Sequence, residues 1–102
     1  MMTKEELVKK AIETLNKVKN TGIEIVTLRD FGDNDFTVGL HFNKDNYGRS
    51  FRFSQAWFDP DYFDLATIEN KVKITGKETD DEKVIIKIMT YIYYWAKENG
   101  HI

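Results

Sequence analysis

Three polar side chains, His41, Arg52 and Ser54, are of residue types that could form a small catalytic or ligand-binding site. They lie in two stretches of alternating residues, on the polar face of a predicted β-hairpin. A histidine beside a serine can support nucleophilic catalysis, and an arginine can hold an anionic group. Neither serine of this face, Ser50 or Ser54, lies in a G-x-S-x-G elbow, so ordinary cross-strand contact is the favoured interpretation of His41. A small-molecule or nucleotide site on this open face is the alternative function, and an enzyme using His41 has the least support.

Two segments rich in Asp, Asn and Gly, residues 30–35 and 43–48, resemble fragments of a calcium-binding loop. In the second segment Gly48 falls at the sixth position, but Tyr47 occupies the fifth and Ser54 stands where the bidentate glutamate should be. Turn formation explains these residues without a metal. His101 has no second ligand at metal spacing. No metal ion, cofactor or catalytic residue is predicted.

Carboxylates gather in two segments that each resemble the start of a helix. Residues 59–82 hold eight acidic residues against three lysines, a local charge of −5 in a chain of net charge −2. The helix dipole stabilises acids at such positions, which makes general acid–base chemistry the weaker interpretation. Because tyrosine beside acid is common in recognition patches, we expect a partner-binding surface here. Its predicted residues are Asp59, Asp61, Asp64, Glu78, Asp80, Asp81, Glu82, Tyr62, Tyr91 and Tyr94.

The predicted hairpin is the element that must position these groups. Alternating apolar residues occur in residues 36–42 and again in residues 51–57, separated by the turn-forming residues 43–48. A preceding strand is predicted for residues 23–29, where apolar residues on both faces indicate burial on each side or a bulge. Residues 30–35 are predicted as a loop. Three successive strands with short links indicate an antiparallel meander.

Helices are predicted on either side of the meander. Thr3–Glu6 and Thr79–Glu82 each fit a capping box, and apolar residues follow at steps of three and four. The first helix is expected to end at Gly22. A short helix is predicted to start at Asp59, although residues 71–75 also fit an edge strand. The fold class is therefore α+β, one domain over residues 1–102, in the order α-β-β-β-α-α, with the helices on the aromatic face of the sheet.

Composition excludes several classes of protein. The chain has 102 residues and no cysteine, which removes disulfides and thiolate sites and fits a reducing cytoplasm. No apolar run approaches the ~20 residues of a membrane span, and residues 3–10 are too charged for a signal peptide. Direct nucleic-acid binding is not expected, because the basic patch of the chain is small and confined to one amphipathic helix.

These observations favour a non-enzymatic protein-binding module in the cytoplasm. In size, charge layout and element order the chain resembles phage-encoded anti-defence inhibitors, including anti-CRISPR proteins, and bacterial toxin-immunity proteins. That resemblance implies an inhibitor whose acidic surface meets the basic groove of a nucleic-acid-processing enzyme. A homo-oligomer formed through the tyrosines of the last helix is a further possibility.

Overall fold

The computed structural model describes residues 2–33, 35–61 and 75–102. Its elements are helix α1 (Lys4–Lys19), strands β1 (Ile23–Gly32), β2 (Asp35–Phe42) and β3 (Tyr47–Ser54), a 3-10 helix (Gln55–Phe58) and helix α2 (Asp80–Glu98). The strands form one antiparallel sheet in the order β1-β2-β3. This confirms an α+β fold with a three-stranded meander between helices. The predicted short helix after Asp59, including Tyr62 and Asp64, and the alternative edge strand at 71–75 fall mainly outside the described residues.

Helix α1 begins as predicted but ends earlier. The hydroxyl of Thr3 accepts a hydrogen bond from the Glu6 amide, and the Glu6 carboxylate accepts one from the Thr3 amide, which completes the capping box. The helix is capped at Asn20, which has a left-handed conformation with a φ of 50°. Gly22 has a positive φ of 63°, as predicted, but it lies beyond the end of the helix. Asparagine tolerates this conformation better than most residues because its short polar side chain can bond locally.

Asn16 fixes the direction in which β1 leaves the helix. Its side-chain amide donates to the carbonyl of Ile23 (2.8 Å) and accepts from the amide of Ile23 (3.0 Å). The Thr21 hydroxyl donates to the same side-chain oxygen at 2.6 Å. One asparagine therefore satisfies both backbone groups of the first residue of β1.

Strand β1 carries two irregularities and runs further than predicted. The register against β2 shifts between Ile25 and Thr27, as the bulge prediction anticipated, and again between Asp30 and Gly32. The residues skipped by these shifts, Val26 and Phe31, are the most exposed large apolar side chains in the described ranges. Residues 30–32, predicted as loop, belong to the strand. The Asp30 carboxylate supports the second irregularity by accepting from the Gly32 amide at 2.9 Å.

Strands β2 and β3 pair without interruption, through a turn shorter than predicted. Phe42 lies opposite Tyr47, so the turn occupies residues 43–46, and Asn46 has a positive φ of 54°. The predicted continuation of β3 through Trp57 is wrong, because the chain turns into the 3-10 helix after Ser54. Trp57 still packs on the sheet, with its ring centroid 5.3 Å from that of Phe53.

Helix α2 and the aromatic face of the sheet form the core together with α1. Thr79 and Glu82 complete the second capping box, as predicted. Trp95 lies 5.0 Å from Phe51 between ring centroids, and Ile88 is fully buried. One apolar cluster joins helix and sheet residues, and it includes Phe36, Val38, Leu40, Phe42, Phe51, Phe53, Val84, Ile88, Met89 and Ile92. The described helices thus cover the face of the sheet that was predicted to be covered.

The segment after α2 returns to the turn between β2 and β3. The His101 ring stacks on Tyr47 with centroids 3.9 Å apart, and its Nδ1 lies 2.5 Å from an Asp45 carboxylate oxygen. His101 therefore links the segment after α2 to the turn between β2 and β3.

Candidate functional site

The two described helices run in parallel, which brings their acidic first turns to the same end of the molecule. The amide of Met2, just before α1, donates to the Asp81 carboxylate in the first turn of α2 at 3.0 Å. Lys4, Pro60 and Asp80 line one cavity of about 220 Å³ at this end. We call this region the acidic end; its carboxylates are Glu5, Glu6, Asp59, Asp61, Glu78, Asp80, Asp81 and Glu82.

Several of these carboxylates serve the protein's own backbone. Asp59 accepts from the Asp61 amide at 2.9 Å, and Glu82 accepts from the Thr79 amide at 3.1 Å. An ionised carboxylate has about four acceptor positions, so one hydrogen bond does not consume its charge. Asp61, Asp80 and Glu82 are exposed. The acidic end therefore combines a structural role with a solvent-facing negative surface.

The Glu78 carboxylate holds the segment before α2 in place through hydrogen bonds. It accepts from the Thr75 hydroxyl (2.6 Å), the Thr75 amide (3.0 Å) and the Gly76 amide (3.1 Å). These hydrogen bonds lower the pKa of the Glu78 carboxyl below its ordinary value of 4.5. The bond from the Thr75 hydroxyl has the largest effect, and the bonds from the backbone amides add to it. The Thr3 amide and hydroxyl lower the pKa of Glu6 in the same way. Both groups are thereby held ionised.

Lys87 is a buried cation beside the acidic end. Its side chain, on α2, is only 8% exposed. Its ammonium donates to the carbonyls of Ala56 (2.7 Å) and Asp59 (3.0 Å), at the end of the 3-10 helix. Burial lowers the pKa of Lys87, and the nearby charge of Asp59 partly opposes that shift. Sequence reasoning missed this residue, since a lysine inside an apolar helical stripe gives no sign of which carbonyls it will reach.

The predicted contact tyrosines lie further along α2. Tyr91 and Tyr94 are each 37% exposed, and the prediction of partial exposure also holds for Tyr47. Tyr91 packs edge-on against Trp57 at 4.7 Å between centroids. Residues three, four or seven positions apart lie on the same side of an α-helix. Asp80, Tyr91 and Tyr94 are related by such steps through position 87, so they share one side of α2. Along the helix axis Tyr91 is about 16 Å from Asp80.

The open face of the sheet does not bring His41, Arg52 and Ser54 together, so their predicted adjacency is wrong. His41 lies opposite Gly48, whereas Arg52 lies opposite Thr37, four residues or about 13 Å away along β2. The His41 ring contacts Asn46 at 2.7 Å. Arg52 makes a bidentate ion pair with Asp35 at 2.7 and 3.1 Å.

A shallow cavity of about 320 Å³ does lie on this face, but it is lined by other residues. Thr27, Gly39 and Ser50 are among them, and none of the three predicted ligand residues is. A Cβ atom at Gly39 would come within 2.4 Å of the Thr27 hydroxyl oxygen, so the close approach of β1 and β2 depends on this glycine.

Comparison with known proteins adds no assignment. Protein-family models, curated protein sequences and solved structures all give no match to this chain. Neither helix of the described ranges is long and apolar enough to cross a lipid bilayer. Within residues 2–33, 35–61 and 75–102, no three His, Asp or Glu side chains are grouped so that they could hold a metal ion.

Proposed function

We propose that this chain is a non-enzymatic protein-binding module whose acidic end contacts a basic protein. The observation that carries the proposal is the parallel arrangement of α1 and α2, which gathers carboxylates from three separate segments of the chain. Met2 and Asp81 are in direct contact across this arrangement, and Lys87 bonds the carbonyl of Asp59 to α2. A concentrated negative surface accelerates association with a positive one and penalises negatively charged competitors.

The proposed partner is a nucleic-acid-processing enzyme with a basic groove, and the proposed effect is inhibition. Carboxylates that enter such a groove occupy positions where phosphates would otherwise bind. Tyr91 and Tyr94 extend the contact along α2, because exposed tyrosine supplies apolar area and a hydroxyl in one side chain. In this proposal the module acts in the manner of phage anti-defence or toxin-immunity proteins.

The test is inhibition of DNA cleavage by a panel of purified bacterial nucleases, with and without neutralisation of the acidic end. In the double variant Asp61→Asn/Asp80→Asn, both changed side chains are exposed. We expect it to bind a susceptible nuclease about fivefold more weakly, a loss of about 1 kcal/mol for two peripheral charges. Binding of the unmodified protein should weaken as salt is raised.

The control is Glu13→Gln/Glu98→Gln, which removes the same charge from exposed positions outside the acidic end. This variant should inhibit like the unmodified protein. Equal effects of the two double variants would show that only net charge matters, and the proposed surface would then be wrong. Failure to inhibit any nuclease of the panel would remove the inhibitor proposal itself.

A further inference from the structure

Strand β3 has one free edge, and that edge is regular. The sheet order β1-β2-β3 leaves the outer side of β3 without a neighbouring strand in the described ranges. Its eight residues, Tyr47–Ser54, pair with β2 without a bulge. The other outer strand, β1, has two register shifts, and such irregularities are one of the means by which proteins prevent an edge from pairing with a further strand. The edge of β3 lacks this protection.

The backbone groups that point out from this edge can be assigned from one hydrogen bond. The Asn43 amide donates to the carbonyl of Gly22 at 3.1 Å, so it points toward β1. Because successive residues of a strand point their backbone groups to opposite sides, Phe42 bonds toward β3, and its partner Tyr47 bonds toward β2. The same alternation continues along β3. The outward backbone groups therefore include those of Gly48, Ser50 and Arg52.

Arg49, on the same strand, has a charged group that is held in place by aromatic rings. Its guanidinium carbon lies 4.3 Å from the ring centroid of Trp95 and 4.9 Å from that of Phe51. The residue is exposed, and its N–H groups donate to no oxygen of the described residues. Contact with the rings therefore orients the guanidinium, whereas its hydrogen-bond donors are available to a carboxylate.

The charges of β3 decide which kind of strand fits its edge. The strand has two arginines, Arg49 and Arg52, and no acidic residue. Arg52 already forms an ion pair with Asp35 of β2. A second copy of β3 would bring the same positive charges to the edge, and like charges on paired strands are destabilising. A strand that places a carboxylate beside Arg49 would instead gain a charge-assisted hydrogen bond.

We propose that the edge of β3 binds an extended acidic segment of a partner protein, which adds a fourth strand to the sheet. Backbone hydrogen bonds to Gly48, Ser50 and Arg52 supply the affinity, and the carboxylate at Arg49 supplies the preference for an acidic sequence. This surface uses none of the carboxylates of the acidic end, so it is tested separately from the proposed inhibitor function.

The test is a selection of short random peptides that bind the full chain, followed by hydrogen-exchange NMR of the chain with a selected peptide. We expect the selected peptides to be enriched in Asp and Glu, although the chain itself has a net charge of −2. Binding should slow exchange at the outward amides of Gly48, Ser50 and Arg52. Exchange at the Phe51 amide, which already points toward β2, should change little.

Three outcomes would overturn the proposal. The first is that no peptide is selected, and the second is that a selected peptide protects amides elsewhere but not on β3. The third is slow exchange at Gly48, Ser50 and Arg52 in the free protein that depends on protein concentration, because a second copy would then occupy the edge.

Matched variants separate strand addition from general attraction between charges. Arg49→Gln should weaken binding of the selected peptide about tenfold, as expected for loss of one charged hydrogen bond. The control is Arg29→Gln, because Arg29 is also exposed and lies 5.9 Å from an aromatic ring, that of Phe31, but belongs to β1. This variant should bind like the unmodified protein. Equal weakening by the two variants would contradict the proposal.

Ser50→Pro removes an outward amide and no hydrogen bond to β2, as is tolerated at the edge of a sheet. A folded Ser50→Pro protein should therefore lose binding of the selected peptide, and full binding by it would exclude an added strand. If circular dichroism shows that Ser50→Pro does not fold, the comparison of Arg49→Gln with Arg29→Gln decides the question.

Discussion

At the scale of single residues, buried Lys87 connects helix α2 to the segment that follows β3. A buried ammonium costs free energy unless it is hydrogen-bonded, and here the carbonyls of Ala56 and Asp59 provide that bonding. Those carbonyls in turn lie at the end of a short 3-10 helix and need donors. The lysine therefore fixes the path by which the chain leaves β3.

Replacement of this lysine by methionine, Lys87→Met, should destabilise the protein by about 2 kcal/mol, because the two carbonyls lose a charged donor while the apolar volume is kept. The loss should appear as a lower midpoint of urea unfolding and as faster hydrogen exchange at the Asp59 amide, which donates to Ala56. Lys83→Met, one turn earlier on α2 and only half-buried, should change stability by less than about 0.5 kcal/mol. If both variants unfold at the same urea concentration, Lys87 does not have this role.

At the scale of elements, the docking of α2 on the sheet decides stability. A three-stranded sheet needs an apolar cover, and the fully buried Ile88 lies in the middle of that cover. The variant Ile88→Asp would bury a charge without a partner, at a cost comparable with the ~5–15 kcal/mol that stabilises a typical domain.

We therefore expect Ile88→Asp to be unfolded by circular dichroism at room temperature. Ile88→Val, which removes one methylene at the same position, should remain folded and lose about 1 kcal/mol. A well-folded Ile88→Asp protein with unchanged melting temperature would show that α2 does not dock as described.

The helix starts and the end of β3 differ in how well they can be predicted from sequence. Both capping boxes were predicted correctly because the interacting residues are three positions apart. The end of β3 was not. The chain there turns into a 3-10 helix, in which the Ala56 carbonyl accepts a hydrogen bond from Lys87, 31 positions away. Signals within one helical turn are readable in the sequence, whereas contacts between distant segments are not.

The hairpin register explains why the open-face site was mispredicted. The turn was expected to span residues 43–48 but spans 43–46, which shifts the pairing by two positions. A shift of two leaves every side chain on its expected face, so the buried aromatic set was predicted correctly. The same shift of two positions placed Arg52 away from His41. A site depends on which side chains are direct neighbours, whereas a core depends only on which face of the sheet they occupy.

At the scale of the whole molecule, parallel helices separate charge between two ends. Acidic residues in the first turns of α1 and α2 lie at one end, and basic residues in their last turns lie at the other. The sequence showed the two acidic segments but not that the first helix would add Glu5 and Glu6 to them. That information lies in the relative direction of the helices, which the described contacts between Met2 and Asp81 establish.

This polarity predicts that mild acid loosens the acidic end before the rest of the molecule. Hydrogen bonds lower the pKa of Glu6 and Glu78 below the ordinary value of 4.5, so their contribution to stability is complete above that pH. As the pH falls below 4.5 and through the folded-state values, protonation removes that contribution. Hydrogen exchange, corrected for its intrinsic pH dependence, should therefore accelerate first at the amides of Thr3, Thr75 and Gly76.

The amide of Asn20, which donates to the carbonyl of Asn16 at the end of α1, provides the internal reference for this experiment. The variant Glu78→Gln cannot ionise, so its exchange at Thr75 and Gly76 should be fast at neutral pH and should depend less on acid. Glu13→Gln, an exposed change on α1 away from this end, should keep the original profile. If acid accelerated exchange equally at Thr75 and Asn20, the carboxylates of the acidic end would not be the groups that respond to acid. Their role as backbone caps would then be wrong.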